Sequence, residues 1–352
     1  MSLAPVPIVQ NQSPLNATIG KTPLATIEAL ALQHFGIIGA AITLSSERDE
    51  TFLIRTHTGS DYIIKIANPA ERRDVLEFQM QALVHLAGKA LRLPLPRAIE
   101  SKEGKMLVSL PFGDEQRFVR MLTFLDGQQL YRAPGTSDQM SALGKALALL
   151  GKGLADFKWQ VPEQNLLWDI CNAAALSDLI SKVDPSRKAM VGHALDGFGR
   201  LANGTFNTLP RQVIHNDFNP HNILVSPSNP DVLAGVIDFG DMVEAPLIND
   251  LAVALSYQIG AGNGLENAIA ILAAYHRVRP LDRSEIACLP TLLRTRLAMT
   301  VIITEWRASL HPENREYILR NHPIALSGLV CLAGYSDEDL GALFQQKLGD
   351  LS

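Results

Sequence analysis

Three polar side chains between Val213 and Asp241 have the types and the spacing that phosphoryl transfer requires. Asp217 follows a short β-rich run, Asn222 comes five residues later, and Asp238 ends a second such run sixteen residues beyond Asn222. A carboxylate can orient and deprotonate an acceptor hydroxyl, and carboxylate and amide oxygens are suitable ligands for Mg²⁺. The pattern therefore predicts Asp217 as the catalytic base, with Asn222 and Asp238 as magnesium ligands.

Two simpler interpretations of this stretch are open. Asp and Asn beside Pro are common turn residues, and a single Asp-Phe-Gly occurs by chance. A metal site built from His215, Asp217 and His221 lacks a further ligand motif and fits no familiar zinc spacing. The joint occurrence of His215-x-Asp-x-x-x-x-Asn and Ile237-Asp-Phe-Gly, after a β-rich region that carries a lysine, favours phosphoryl transfer over both.

The elements that must position these residues fall into two parts. After Thr22 and Pro23, which are typical of a helix start, the pattern predicts a helix, three strands, a second helix and a β-hairpin. The remainder is mostly helical, with the stretch around Asp217 as its β-rich exception. We expect an α+β fold with three parts: an N-terminal arm (1–21), a lobe with a five-stranded antiparallel sheet (22–125) and a larger, mostly helical lobe (126–352).

Composition excludes several classes of protein. Hydrophobic residues make up 47% and charged residues 19%, so the chain is neither disordered nor fibrous. The chain has 31 basic and 36 acidic residues and no run rich in Lys or Arg, so a nucleic-acid partner is not expected. The three cysteines, Cys171, Cys288 and Cys331, are far apart and offer no disulfide framework. The apolar helices are short or carry charges such as Arg294, and no signal peptide pattern is present. We expect a soluble cytoplasmic protein without a membrane partner.

The same residues carry a family resemblance. His215-Asn-Asp-Phe-Asn-Pro-His-Asn222 and Ile237-Asp-Phe-Gly240 resemble the catalytic and metal-binding loops of the aminoglycoside phosphotransferase/choline kinase family, which is related to protein kinases. The resemblance covers residues 25–335. Further segments are similar to hydroxylysine kinases and to phosphotransferase domains fused to aminotransferases: Ser46–Asp49, Tyr62–Ile66, Val119–Gly127, Asn165–Asp169 and Gly235–Asp241.

For the first lobe, the resemblance implies a protein-kinase-like arrangement with the nucleotide between two lobes. Lys65 would hold the α- and β-phosphates with Glu77 as its helix partner, although many relatives carry the glutamate where this chain has Gln79. From its strand alone, Lys65 would be an outward-pointing edge lysine. A glycine-poor loop would cover the phosphates through Ser46 and Arg48, the latter also being compatible with an ordinary hairpin tip. The purine would lie at the hinge, which includes Thr123 and Leu125.

For the second lobe, the resemblance implies two bracing residues. Asp250 matches the position that holds the catalytic loop through backbone hydrogen bonds, and His215 would orient the same loop rather than act as a base. Asn216 stands where the family usually has glycine. Because Asn tolerates left-handed backbone angles, this change does not predict a loss of function.

The acceptor site is the least defined part of the sequence. A small amino alcohol or hydroxy amino acid carries an ammonium group, which requires carboxylates or aromatic faces. The candidates for this contact are Asp241, Glu244, Glu305 and Trp306. An α-carboxylate would need a cation, and three are present on one expected helix: Arg294, Arg296 and Arg307. Each of these residues also fits a solvated helix face or an internal ion pair, and Trp168 either lines the pocket or only packs.

The pattern together with the family resemblance predicts a Mg²⁺-dependent kinase that transfers the γ-phosphoryl group of ATP or GTP to a hydroxyl of a hydroxy amino acid or amino alcohol, the resemblance implying the hydroxylysine type. Kinases of homoserine, of choline or ethanolamine, and of aminoglycosides are alternatives, although the mixed charges of the helical lobe disfavour a polycationic acceptor. A nucleotide-binding regulator without activity is an alternative of another class, which the intact set of Lys65, Asp217, Asn222 and Asp238 disfavours. The acceptor, the preferred purine and the oligomeric state are left open.

Overall fold

The computed structural model describes residues 22–46, 48–260 and 262–349, so the expected N-terminal arm lies outside the described residues. Two compact units divide these residues. The first contains the chain up to residue 126 together with 157–163, and the second contains 127–156 and the chain from 164 onward. Residues 157–163 therefore belong to the first unit, whereas the predicted boundary at residue 126 assigns them to the second part of the chain.

An antiparallel sheet forms the first unit. Its strands are β1 (Ala40–Leu44), β2 (Glu50–Arg55), β3 (Tyr62–Ile66), β4 (Ala98–Ile99), β5 (Val108–Phe112) and β6 (Glu115–Thr123). The strands follow the order β1-β2-β3-β6-β4, and β5 pairs with β6. The sequence predicts five of them; β4 has only two residues, which is too short to show a periodic pattern.

Two helices accompany this sheet. The first, α1 (Leu24–Leu30), starts after Pro23 and continues as a π-helical turn that ends at Gly36, whose φ of 73° is left-handed. Its apolar side packs on the face of the sheet that includes Ile64 and Ile66. Because side chains alternate along a strand, the intervening lysine points to the opposite face. The second helix, α2 (Arg73–Ala87), lies between β3 and β4 in the chain.

The second unit contains two small sheets. Its strands are β7 (Gln128–Gln129), β8 (Arg211–Ile214), β9 (Ile223–Val225), β10 (Leu233–Val236) and β11 (Val243–Pro246). One sheet has the order β10-β9-β7, and the other pairs β11 with β8. These short strands surround the stretch that the sequence singles out for chemistry.

Helices make up most of the second unit. They are α3 (Ser137–Leu154), α4 (Lys188–Ala202), α5 (Ile248–Ile259), α6 (Gly264–Val278), α7 (Arg283–Leu310), α8 (Arg315–Ile318), α9 (His322–Leu332) and α10 (Asp337–Gly349). Short 3₁₀ turns connect several of them. The helical pattern of residues 167–180 predicts a helix there, but the structure has a 3₁₀ run, Ile170–Lys182, which starts where the Asp169 side chain accepts a hydrogen bond from the amide of Cys171.

The long helix α7 is the central element of the second unit. A capping box of Asp282 and Glu285 starts it, and it packs against α4, α5, α9 and α10. By length and composition it meets the requirement for a membrane span, so the expectation that no helix does so is wrong. However, 83% of its most apolar window is buried inside the protein, which is the property of a core helix.

Candidate active site

Two strand pairings bring the chemical loops of the second unit together. Ile214 at the end of β8 pairs with Val243 on β11, and Ile223 at the start of β9 pairs with Val236 on β10. The loop from His215 to Asn222 and the turn from Ile237 to Met242 therefore start and end at neighbouring strands. The amide of Ile237 donates to the carbonyl of Asn222 at 2.8 Å, which sets Asp238 beside the end of the first loop.

Left-handed backbone occurs at two non-glycine positions of the described chain, one in each loop. Asn216 has a φ of 62° and Asp238 a φ of 63°. Asn and Asp tolerate this region better than other residues with a side chain, although the conformation still costs about 1 kcal/mol or more. The conformation at Asn216 explains why glycine suits this position in the family and why asparagine can replace it.

Asp250 on α5 holds the catalytic loop by its backbone. Its carboxylate accepts hydrogen bonds from the amide of His215 at 3.0 Å and from the amide of Asn216 at 2.6 Å. The side chain is almost fully buried, and this burial raises the pKa of Asp250 to about 6 while the two backbone donors lower it. The contact that the family resemblance implies is present, and Asp250 acts on structure through it.

His215 is enclosed within the loop and has both ring nitrogens occupied. Nδ1 accepts from the amide of Asp217 at 3.3 Å, and Nε2 lies 3.2 Å from the carbonyl oxygen of Ile237. These partners assign the ring proton to Nε2. The ring is fully buried against Phe239, and burial lowers the pKa of His215. A neutral ring without a vacant nitrogen braces the loop and is a poor general base.

Two asparagines orient the carboxylate of Asp217. Asn219 donates to Oδ1 and Asn222 donates to Oδ2, each at 2.7 Å. Burial and then the Asp241 carboxylate raise the pKa of Asp217 to about 7, against the guanidinium of Arg296, which lowers it. A base with a pKa near the working pH accepts and releases a proton efficiently. Sequence reasoning did not single out Asn219, although its place two residues after Asp217 could have drawn attention to it.

The donor set fits a magnesium ion. The amide nitrogen of Asn222 donates to both the carboxylate and the carbonyl of Asp217, which leaves its Oδ1 as the atom for a cation. Together with the carboxylate of Asp238 this provides two hard oxygen ligands, and Mg²⁺ usually takes its remaining ligands from water and phosphate.

The alternative metal site of His215, Asp217 and His221 is wrong. Within the described parts of the chain, no group of three or more His, Cys, Asp or Glu side chains could hold a metal ion. The ring of His221 stacks on Tyr131 at 4.4 Å between centroids and lies 3.3 Å from the amide oxygen of Asn321.

In the first unit, buried ion pairs hold the loop between β1 and β2, which contains Ser46 and Arg48. Arg120 on β6 lies 2.7 Å from the carboxylate of Asp49, at the end of this loop. The next residue is held in the same way, since Arg117 and Glu50 are 2.5 Å apart and both are buried. Lys65 pairs in register with Arg120, so the two cations project from the same face of the sheet. Ser46 is exposed and Arg48 is half-buried.

Other residues expected at the nucleotide have defined partners within the same unit. Glu77 forms an ion pair with Arg73 one helical turn earlier, at 2.7 Å, with 40% of its side chain exposed. Gln79, two residues later, lies on the buried side of α2. The pairing of Glu77 with Lys65 stays a prediction.

Part of the hinge segment already forms hydrogen bonds within the first unit. The amide of Thr123 donates to the carbonyl of Arg97, and its hydroxyl accepts from the amide of Arg97, both at 2.9 Å. Leu125 follows β6 in a half-buried segment without regular secondary structure. Of the two hinge residues predicted to meet the purine, Leu125 is therefore the better placed for a backbone contact through its amide.

The structure separates the four acceptor candidates. Glu305 forms an ion pair with Arg187 at 3.0 Å and lies 2.8 Å from Nε2 of His322, which is the internal pairing that the sequence left open. Trp306 is 6% exposed and belongs to the core. Glu244 is exposed on β11, whereas Asp241 lies close enough to Asp217 to raise its pKa. Asp241 is thus the one of the four that the structure brings to the base.

The basic residues of α7 are also separated. Arg294 binds Asp337 at 2.7 Å and two backbone carbonyls, so it ties α7 to α10. Arg296 is 1% exposed and its Nη2 atom lies 3.8 Å from Oδ1 of Asp217. Its guanidinium also contacts Trp168, which is half-buried. The loop before the 3₁₀ run and the middle of α7 therefore meet at the base.

A β-rich unit that carries a lysine, followed by a helical unit that holds Asp217, Asn222 and Asp238 in two hydrogen-bonded loops, is the arrangement expected of a phosphotransferase of the kinase type. Comparison with known proteins specifies the family. The family model described as "Phosphotransferase enzyme family" matches residues 41–287, well over half of the chain. The chain belongs to this phosphotransferase family, and the predicted α+β, kinase-like fold is confirmed.

Individual relatives agree with this assignment. The hydroxylysine kinase of Mus musculus is 26% identical over 319 residues, which cover 84% of this chain and 85% of that protein. A homoserine kinase of Mesorhizobium japonicum is 29% identical over 286 residues, which cover 77% and 84%. The prediction of a small-molecule kinase that phosphorylates a hydroxyl group is confirmed at this level.

Solved structures show the same fold. A microcompartment-associated aminopropanol kinase superposes with a TM-score of 0.71 at 20% identity, covering 90% of this chain and 98% of that one. An amicoumacin kinase in complex with AMP-PNP and Ca²⁺ superposes with a TM-score of 0.64 at 16% identity, covering 85% and 93%. Both superpositions show that the fold of this chain is that of these kinases.

Proposed function

We propose that the protein transfers the γ-phosphoryl group of ATP or GTP, with Mg²⁺, to the hydroxyl of a small hydroxy amino acid or amino alcohol of the hydroxylysine type. The observation that carries the proposal is the contact of 2.7 Å between Asn222 and Asp217. One asparagine binds the predicted base through its amide nitrogen and presents its amide oxygen to the predicted metal position. The hydroxyl that is activated and the phosphate that is transferred are thereby placed side by side.

The residues of the second unit have distinct roles in this reaction. Asp217 accepts the proton of the acceptor hydroxyl, while Asn219 and Asn222 keep its two oxygens in a fixed orientation. Asp250 and His215 hold the backbone that carries this aspartate. These contacts are made before any substrate arrives, which lowers the cost of reorganisation during the reaction.

The donor side of the reaction rests on a smaller set of residues. Asn222 and Asp238 would hold Mg²⁺, which when bound neutralises charge on the phosphates. Lys65 and the Ser46–Arg48 loop would bind the phosphates, the loop being anchored by the Asp49–Arg120 pair. The amide of Leu125 would meet the purine. The choice between ATP and GTP is part of the proposal and not of the family assignment.

The acceptor follows from the relatives and from charge. Hydroxylysine kinases and homoserine kinases are both among the related proteins, and both names describe hydroxy amino acids. Homoserine is therefore the second candidate. A polycationic aminoglycoside is disfavoured because Glu305 is already paired with Arg187, and because Arg296 adds positive charge beside the base.

A substrate panel tests the proposal directly. Hydroxylysine, homoserine, serine, ethanolamine, choline and an aminoglycoside are incubated with ATP or GTP and Mg²⁺, and both nucleoside diphosphate and phosphate ester are quantified. We expect ester formation with at least one hydroxy amino acid or amino alcohol, and its loss on chelation of Mg²⁺. Nucleotide binding without phosphorylation of any hydroxyl compound would favour the alternative of a silent regulator.

A further inference from the structure

Arg296 lies beside the catalytic base although the two residues are far apart in the chain. Its Nη2 atom is 3.8 Å from Oδ1 of Asp217, which is too long for a hydrogen bond. The two opposite charges therefore attract each other without forming a direct hydrogen bond. Asp217 itself has 22% of its side chain exposed, so a ligand that reaches the base comes close to this guanidinium.

The guanidinium of Arg296 is held in place, but not every one of its N–H groups has a hydrogen-bond partner. Nη1 donates to the backbone carbonyl of Trp168, and the ring of the same tryptophan lies 5.2 Å from the guanidinium carbon. The buried hydroxyl of Tyr257 is a further hydrogen-bond partner. Nε is buried and has no hydrogen-bond partner in the part of the chain that the structure describes. A buried N–H group without a partner is unfavourable, and an anionic ligand would relieve it.

Two other charged side chains of α7 have their partners away from Asp217. Arg294 is held by Asp337 on α10, and Glu305 is shared by Arg187 and His322. Of Arg294 and Arg296, the latter is thus the one that the structure places beside Asp217.

We propose that Arg296 binds the carboxylate of the acceptor, so that the acceptor is a hydroxy amino acid and not an amino alcohol, choline or an aminoglycoside. This inference rests on the proposed function and names the substrate class of the same site. A planar guanidinium matches a carboxylate in shape and charge, and Trp168 keeps its plane in one orientation. A molecule anchored at Arg296 by its carboxylate presents its hydroxyl to the neighbouring Asp217.

Matched substrate pairs test this proposal. Each hydroxy amino acid is compared with its decarboxylated counterpart: homoserine with 3-aminopropan-1-ol, hydroxylysine with 1,5-diaminopentan-2-ol, and serine with ethanolamine. The ratio of kcat/KM within a pair isolates the contribution of the carboxylate. For the best pair we expect a ratio of about a hundredfold in the wild-type enzyme, as a charge-assisted contact supplies. In Arg296→Met we expect the ratio to fall to about one, mainly through the acceptor KM.

Two further variants serve as controls. Arg296→Lys keeps the charge but not the planar fork, and should restore part of the preference. Arg294→Met removes a guanidinium of the same helix that binds Asp337, and should leave the ratio unchanged. If Arg296 only positions Asp217, Arg296→Met will lower kcat equally for both members of a pair, and the unchanged ratio overturns the proposal.

The wild-type enzyme alone also gives a decisive result, which matters if an Arg296 variant does not fold. Equal or better phosphorylation of the decarboxylated compounds would overturn the carboxylate contact and leave the proposed function intact. Phosphorylation of neither member of any pair would overturn both proposals together. A strong preference for the amino acids in the wild-type enzyme, lost in Arg296→Met, supports both.

Discussion

The side-chain amide of Asn222 donates a hydrogen bond of 2.7 Å to the carboxylate of Asp217. The loop between them turns back on itself, since the amide of Asn219 donates to the carbonyl of Asp217 and the amide of Asn222 donates to the carbonyl of Asn219. The predicted base and a predicted metal ligand thus belong to one hydrogen-bonded loop. Substitutions in this loop should lower the rate of phosphoryl transfer more than they weaken the binding of nucleotide.

We expect Asp217→Ala to lose turnover while nucleotide binding persists. Removing a general base usually lowers the rate by a factor of about 10² to 10⁴. Steady-state kinetics with the best acceptor and calorimetric titration with nucleotide separate the two effects. Asp178→Ala, on the exposed side of the 3₁₀ run, is the matched control and should behave like the wild type. Full activity of Asp217→Ala would rule out this residue as the base.

Asp238→Ala should lose the part of nucleotide affinity that depends on Mg²⁺. Because Asp238 has a left-handed φ of 63°, alanine also introduces backbone strain at this position. Asp238→Asn tolerates the same backbone and removes only the charge, so it distinguishes the two causes. Calorimetry with and without Mg²⁺ measures the effect in both variants, and an unchanged metal-dependent affinity would count against Asp238 as a ligand.

Asn216→Gly should stabilise the protein. Both polar atoms of the Asn216 side chain are buried without a hydrogen-bond partner among the described residues, and its φ is 62°. Glycine removes the unsatisfied amide and the strain, against a greater entropy of the unfolded chain, so we expect a gain of about 1 kcal/mol. Thermal unfolding measures this as a rise in Tm of a few degrees. Asn216→Ala keeps the strained φ and should be less stable than the glycine variant; the reverse order would contradict the explanation.

Arg120→Met should destabilise the first unit and weaken nucleotide binding. Arg120 and Asp49 are both buried, so removal of the cation leaves a buried carboxylate without compensation, at a cost of about 3 to 5 kcal/mol. Chemical denaturation measures the stability, and the KM for nucleotide reports on the Ser46–Arg48 loop that Asp49 terminates. The double variant Arg120→Met/Asp49→Leu should recover most of the stability. If it is as unstable as the single variant, the buried charge is not the cause.

Periodic patterns were a reliable guide where a whole element buries one side. The strands that contain Ile64 and Phe52, and the helix that contains Ile27, lie where alternation and helical spacing predict them. The 3₁₀ run Ile170–Lys182 was expected to be an α-helix because its apolar spacing is compatible with both, and packing decides between them. The two-residue strand β4 forms only because β6 is beside it, so no local pattern could reveal it.

Side-chain partners were harder to predict than elements. Glu305 and Trp306 were acceptor candidates because of their residue types, but α7 turns the first towards Arg187 and His322 and the second into the core. Glu77 forms an ion pair with Arg73 on its own helix, and its expected contact with Lys65 stays a prediction. A residue type states what contact a side chain can make, and the packing of helices decides which contact it does make.

The sequence by itself determined which residues are assigned to the chemistry: Asp217, Asn222 and Asp238 are close in the chain, and short strands with tight connections leave their loops few arrangements. Only the tertiary structure decided which distant side chains join them. Arg296 and Trp168 are 128 residues apart in the chain and meet at the base because α7 packs against the segment that follows Trp168. Such contacts depend on how whole helices bury their apolar sides, and no local spacing in the sequence encodes that.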